Sequence, residues 1–367
     1  MRLTAMAYFL GCLTALLVVW GCEDKPDLPN LVEAQRGDTS YIQVYPAFGT
    51  YVGAEDVMIG RDELLYVADT RANRVVMLNR AGQFLSARSM LHPISLSQNT
   101  RLDLYVGGEM LSTNGDTIGA IFRLRLYSVN PDSAHRLEVA PMDTIWREPA
   151  RPNRRFPGLA VFDDNSFIAV RSAVPFPDNT STIDPDARVL LFSRTNTFIT
   201  PIPAFTSGIG GGITTLNNPT AVAAIQGSRD FVLVQAAADT IPVGLQYGAL
   251  WMRFESNTDF EGWLPKYDPA NLIDRNVDFI RTYRYLYPSA VAVDGVRKDV
   301  FVADAALDSV FKFNSRGRIK SESFGFARSG GVMSRPTGLT YFEKVLYVLD
   351  SPSGLILRFR LTTDVPR

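Results

Sequence analysis

From about residue 40 onward the chain alternates short apolar runs with clusters of turn-forming residues, and no stretch there carries the spacing of an amphipathic helix. Three segments repeat one order: residues 53–84, 288–325 and 336–361. Each opens with an apolar strand after a Gly or Pro and passes a charged turn. A second apolar strand then ends in Asp, and an alternating third strand follows a short loop. Two of the segments close on an Asn-x-x-Gly turn, Asn79 to Gly82 and Asn314 to Gly317.

Weaker copies start at Pro93, Pro157 and Pro219. Their second strands are Tyr105-Val106-Gly107, Phe167-Ile168-Ala169-Val170 and Phe231-Val232-Leu233-Val234, without the terminal Asp. A lone four-stranded sheet leaves both faces in water, whereas copies stacked around an axis bury them and protect the edges. The pattern therefore predicts an all-β fold, a six-bladed β-propeller over residues 38–367. Its blades fall near 52–90, 91–142, 155–205, 218–267, 286–325 and 334–367. The last copy has only three strands, so the strand-like segment 40–48 is expected to supply its fourth and fasten the ring. The residues that carry the repeat are Pro288, Pro336, Tyr66 to Asp69, Phe301 to Asp304, Tyr347 to Asp350 and Val310 to Phe313. They resemble the NHL repeat of the TolB-like and NHL propeller superfamily. That resemblance implies the propeller but little about activity, because such rings host lyases, lactonases and adaptors. Asp69, Asp304 and Asp350 are expected to accept backbone N–H groups in the turn that follows.

The beginning of the chain reads differently. One early charge, Arg2, precedes an apolar run from Leu3 to Trp20, and Gly21-Cys22 follows. This is the grammar of an export leader, 1–21, and Cys22 after Gly21 resembles an acylated lipobox cysteine, although Trp20 is bulkier than usual there. Residues 22–37, with Pro26 and Pro29, read as lipid anchor and flexible tether. Cys12 and Cys22 are the only cysteines, so the folded part has neither disulfides nor cysteine chemistry. The expected placement is an exported lipoprotein in the cell envelope, facing the periplasm or the cell surface, with the outer membrane favoured. A net charge of -1 argues against a nucleic-acid partner and leaves the membrane plus a protein, peptide or glycan partner, for a monomeric domain.

Candidate chemistry follows from topology. Strands alternate in direction within a blade, so the segment entering the first strand and the loop leaving the second share one face, called upper here. The predicted long segments gather there: loops 107–119, 171–187 and 235–248 and connectors 143–156, 206–218 and 265–287. Loops on a rigid scaffold are where binding chemistry collects. Residues preceding the blade-opening prolines should ring the upper mouth: His92, Phe156, Asn218, Tyr287 and Arg335, with Arg154, Arg155 and Tyr285 close by. Phe156 is expected to pack between blades. The Arg-and-aromatic remainder suits an anionic, sugar or peptide partner. His92 and His135 are the only histidines, which excludes a three-histidine zinc site, and no G-x-S-x-G elbow is present. No catalytic residue, metal ligand or required cofactor is assigned. The alternative to a binding module is a calcium-dependent lactonase or esterase, for which Glu55 and Asn218 are the conceivable ligands, by analogy with calcium lactonases of this architecture.

Overall fold

The computed structural model describes residues 39–127, 135–181, 183–203, 216–236, 247–268, 271, 273–281, 283–325 and 332–364. The expected leader, lipidated Cys22 and tether lie outside them, as do 204–215 and 237–246, where two predicted insertions fall.

Strand β1 (Tyr41–Phe48) stands alone at the start. Blade one follows with β2 (Asp56–Ile59), β3 (Leu65–Asp69), β4 (Arg74–Leu78) and β5 (Phe84–Ser89). Blade two has β6 (Ser95–Gln98), β7 (Asp103–Leu111), β8 (Thr117–Arg125) and β9 (Met142–Arg147). Blade three has β10 (Arg154–Val161), β11 (Phe167–Ala173), β12 (Arg188–Phe192) and β13 (Phe198–Ile202). Blade four has β14 (Pro219–Ala224), β15 (Phe231–Gln235), β16 (Ala249–Ser256) and β17 (Glu261–Pro265). Blade five has β18 (Pro288–Val293), β19 (Val300–Asp304) and β20 (Ser309–Phe313), and blade six β21 (Pro336–Phe342), β22 (Val345–Asp350) and β23 (Leu355–Leu361).

Each blade is an antiparallel meander. The innermost strands β2, β6, β10, β14, β18 and β21 touch one another in cyclic order, the contact pattern of a six-bladed β-propeller. The ring is fastened as the sequence predicts, with β1 pairing β23 from Tyr41↔Leu361 to Val44↔Arg358. Tyr41 adds a stack on Phe324 and an edge contact to Phe301. Blade five departs from the four-strand expectation. Only the isolated bridges Val310↔Phe324 and Phe313↔Ile319 stand where its outer strand would be.

The core is not central. Six apolar clusters fill the six seams between blades, from Tyr66, Met77, Leu96 and Phe122 between blades one and two to Phe48, Val57, Tyr347 and Ile356 between blades six and one. This is why the second strands read as unbroken apolar runs. All five residues of β3 and of β19 are buried, one face against each neighbour. Near the axis, hydroxyls stitch the seams. Thr220 donates to the carbonyl of Pro288 (2.7 Å), Ser289 to that of Pro336 (2.6 Å) and Thr337 to that of Ala54 (3.1 Å). Thr70 and Ser95 do the same for Pro93 (2.6 Å) and Phe156 (2.7 Å).

The strand-ending Asp accepts N–H groups of the following turn in blade five alone, and in blades five and six it also holds the segment that enters the blade. Asp304 accepts the N–H groups of Leu286, Tyr287, Ala306 and Leu307, and Asp350 those of Ser334 and Arg335. Asp69 instead binds the Arg74 guanidinium at 2.7 Å. Two expected loops are partly strand. The 107–119 segment is mostly a β-hairpin paired out to Leu111↔Thr117, because β7 and β8 simply continue. The 143–156 connector contains most of β9 and the start of β10.

Candidate functional site

A cavity of about 520 Å³ runs along the axis, walled by the innermost strands. His92, Arg155, Asn218, Tyr287 and Arg335 line it, drawn from five blades. Each is fixed locally. The Asn73 side chain accepts the backbone N–H of His92 (2.9 Å), Ser172 donates to Asn218 Oδ1 (2.6 Å), and the Asp304 and Asp350 caps hold the backbones of Tyr287 and Arg335. Asp caps and mouth residues are thus one device: the carboxylate that ends the second strand pins the segment that presents the next side chain.

The other two expected rim residues are elsewhere. Arg154 is fully buried and binds Glu148, Asp184 and Asp186 at 3.2, 2.8 and 2.8 Å. Arg171 meets Glu148 and Asp184 at 2.9 and 2.7 Å. Two guanidiniums and three carboxylates therefore bolt the 174–187 loop to blade three. Tyr285 is buried against Phe311 and Phe313, its hydroxyl donating to the Phe279 carbonyl (2.9 Å). Arg154 turns inward because its strand neighbour Arg155 takes the cavity side, and Tyr285 is drawn inward from the connector by those aromatic partners. Phe156 packs between blades, as its apolar character implies.

Two lining residues had no place among the expected ones. Glu109, on the extended β7–β8 hairpin, receives Arg155 Nε at 2.5 Å and lies 3.3 Å from His92 Nδ1. Asp56 sits in the wall, its oxygens accepting the N–H groups of Val57 and Leu96, both at 2.8 Å. Burial pushes its carboxyl up to about 7, against those two hydrogen bonds and with Glu55 adding to the rise. Burial also raises the Glu55 carboxyl, opposed by the charges of Arg335 and His92. Repeat register carries the signal that flags Asp56. The residue at its ladder position is Ser95, Gly158, Ala221, Ala290 or Gly338 in the other five blades.

The lower end is crossed by an ion pair between blades that are not neighbours, Arg61 to Asp163 at 2.9 Å, and Asp163 also accepts the N–H of Gly227 on blade four (2.7 Å). His135 lies 3.7 Å from Asp62, in the turn after β2, and is not part of the cavity lining.

Calcium takes six to eight oxygen ligands. Among the described residues no three His, Cys, Asp or Glu side chains gather for a metal. Glu109 is held by Arg155, both Asp56 oxygens accept backbone N–H groups, and Arg155 and Arg335 share the lining with Glu55 and Asn218. This donor set does not fit a calcium cage.

No model of a known protein family matches the sequence, and no curated protein matches it. Solved structures match its shape. A luciferin-regenerating enzyme superposes with a TM-score of 0.57 at 10% identity, over 88% of this chain and 95% of that one. A gluconolactonase from Xanthomonas campestris gives 0.54 at 12%, over 89% and 90%. An auxiliary nutrient binding protein from Bacteroides thetaiotaomicron gives 0.53 at 12%, over 86% and 70%. At such identities the likeness is one of fold alone: the chain is a six-bladed β-propeller, and its neighbours include both enzymes and a binding protein.

Proposed function

We propose that this protein is a binding module that captures a protein, peptide or glycan at the upper mouth of its ring. It would be held at the cell envelope by a lipid on Cys22, as an NHL-type lipoprotein. The observation that carries the reading is the state of the mouth's charges. Arg155, Glu109 and His92 satisfy one another, which leaves the fixed polar rim of a recognition site rather than a catalytic set. Exposed apolar side chains on the same face, Phe176 at 66%, Leu111 at 63% and Leu286 at 59%, supply the contact area that such a rim surrounds. The likeness to an auxiliary nutrient binding protein is in keeping with this reading.

The competing reading is a lactonase or esterase, and one observation favours it: a carboxyl near neutrality in a cavity is suited to proton transfer. One experiment separates the two. The full chain is assayed against peptide and oligosaccharide arrays and against lactone and ester substrates, beside the variants Arg335→Glu, Tyr287→Ala and Asp56→Asn. Array binding that falls about tenfold in the two mouth variants, without turnover, supports the module. Turnover that disappears in Asp56→Asn overturns it.

A further inference from the structure

Blade one breaks the rule of its own repeat at two adjacent positions. In blades four, five and six the residue after the blade-opening position is Thr220, Ser289 or Thr337, and its hydroxyl stitches the seam to the next blade. In blade one that position is Glu55, and the stitch is made instead by Thr70 from the neighbouring strand. The next position, small or apolar in the other blades, is Asp56. Asp56 ties blade one to blade two through the N–H of Leu96, a bond no other seam makes with a carboxylate at that position, and both Glu55 and Asp56 line the cavity. Among the described residues, no Lys, Arg or His lies within ion-pair distance of either. Blades four and five contribute Ala221, Ala223, Ala290 and Ala292 to the same cavity, short side chains that leave its volume free. Departures from a repeat's local rule mark candidate functional positions.

We propose that the cavity receives a protonated amine, an ammonium group seated on Asp56 and Glu55 with a small apolar stem against the alanines of blades four and five. This rests on the binding reading above and names the ligand chemistry of that site. Neither carboxylate has a direct ion-pair partner among the described residues, Arg335 and His92 acting on Glu55 only from farther off, and an arriving ammonium supplies one. Burial holds the Asp56 carboxyl near neutrality, so it ionises fully when a cation arrives. A cavity of 520 Å³ admits a ligand of several residues or sugar units, so the amine is the anchored end of something larger. A divalent metal is a poorer occupant, because it needs about six oxygen ligands and Arg155 and Arg335 share the lining with the two carboxylates.

The test is calorimetric titration of the full chain at low salt. The probes are L-alanyl-L-alanyl-L-alaninamide, which carries one ammonium and no carboxylate, its N-acetyl form, and calcium chloride. The free amine is expected to bind at about 1 mM or better and the acetylated form at least about tenfold more weakly. Asp56→Asn should cost about the same factor, and Glu55→Gln less. Glu55→Lys, which leaves Asp56 and its two backbone N–H partners in place and supplies the cation from the protein itself, should also abolish binding, so the proposal is testable even where Asp56→Asn folds poorly. Equal binding of the two peptides overturns the ammonium anchor and leaves the binding module intact. Failure of the free amine to bind, with calcium binding in its place and lost in Asp56→Asn, overturns it in favour of a metal site. Failure of every probe, with array binding still sensitive to Arg335→Glu, removes the amine inference alone. Loss of that sensitivity as well removes the function on which it rests.

Discussion

Blades five and six and blades three and four meet one requirement by different chemistry. Where the second strand ends, the chain turns on the upper face and leaves buried N–H groups that need acceptors. In blades five and six a single Asp supplies them, and the loop that follows is short. In blade four, Gln235 holds the ladder position of that Asp, opposite Pro219, accepts the N–H of Asn217 (2.9 Å) and donates to the Tyr247 carbonyl (2.7 Å). In blade three the polarity is inverted. Arg171 donates to the carbonyls of Asp186 and Pro185, and an ion network spreads outward to hold a long loop. A carboxylate accepts and can pin only a short turn, whereas a guanidinium in a network reaches a loop of more than ten residues. Blade three, which gave up the Asp, is where a long loop is held by ion pairs.

The largest effect should come from unfastening the ring on which both halves depend. Deleting residues 38–46 removes the paired part of β1 together with Tyr41 and should cost on the order of 5 kcal/mol. Denaturant unfolding measures it, and an unchanged midpoint would refute closure by β1. Next is the network. Arg154→Met leaves Asp186 without its ion pair and Glu148 with Arg171 alone, and should destabilise by about 3–5 kcal/mol, with the 174–187 loop becoming the first site of proteolysis. The capped half should respond less. Asp304→Ala leaves four N–H groups without their acceptor and should cost about 2–3 kcal/mol, Gln235→Ala about 1–2 kcal/mol. If these two were reversed, Gln235 would not be a substitute for the Asp.

The smallest effect, and the sharpest in form, concerns pH. The Asp56 carboxyl is raised from 3.8 to about 7, so the folded state holds its proton more tightly than the unfolded state. Its contribution to stability is therefore fully present below about 4 and is lost as pH rises through about 7. Melting of the parent relative to Asp56→Asn should fall between about pH 4 and 7, by roughly 1–3 kcal/mol, with Glu55 sharing the titration. Parallel curves would mean that Asp56 is ionised throughout.

What the sequence made legible follows the same division. Blade number, ring closure and the mouth residues before each proline could be read, because a repeat fixes register and register fixes direction. Arg154 was placed one position wrong in facing: adjacent residues on a strand point to opposite sides, and only the distant carboxylates of Glu148, Asp184 and Asp186 decide which arginine turns inward. Tyr285 shows the same limit, since its aromatic partners Phe311 and Phe313 come from the following blade strand. Glu109 was hidden in what read as an inserted loop, where the strands in fact run on. Asp56 was readable, but only by comparing the six inner strands position by position rather than searching for a motif.

The Arg61–Asp163 pair gives the axis a direction. A pipe open at both ends lets a visitor enter on one side and leave on the other, so passage has an order. Barred below, the same tunnel becomes a cup with one door. Arrival and departure then compete for the same threshold, and a second visitor must wait until the first has gone. Whatever partner surface covers the door sets the dwell time of everything inside.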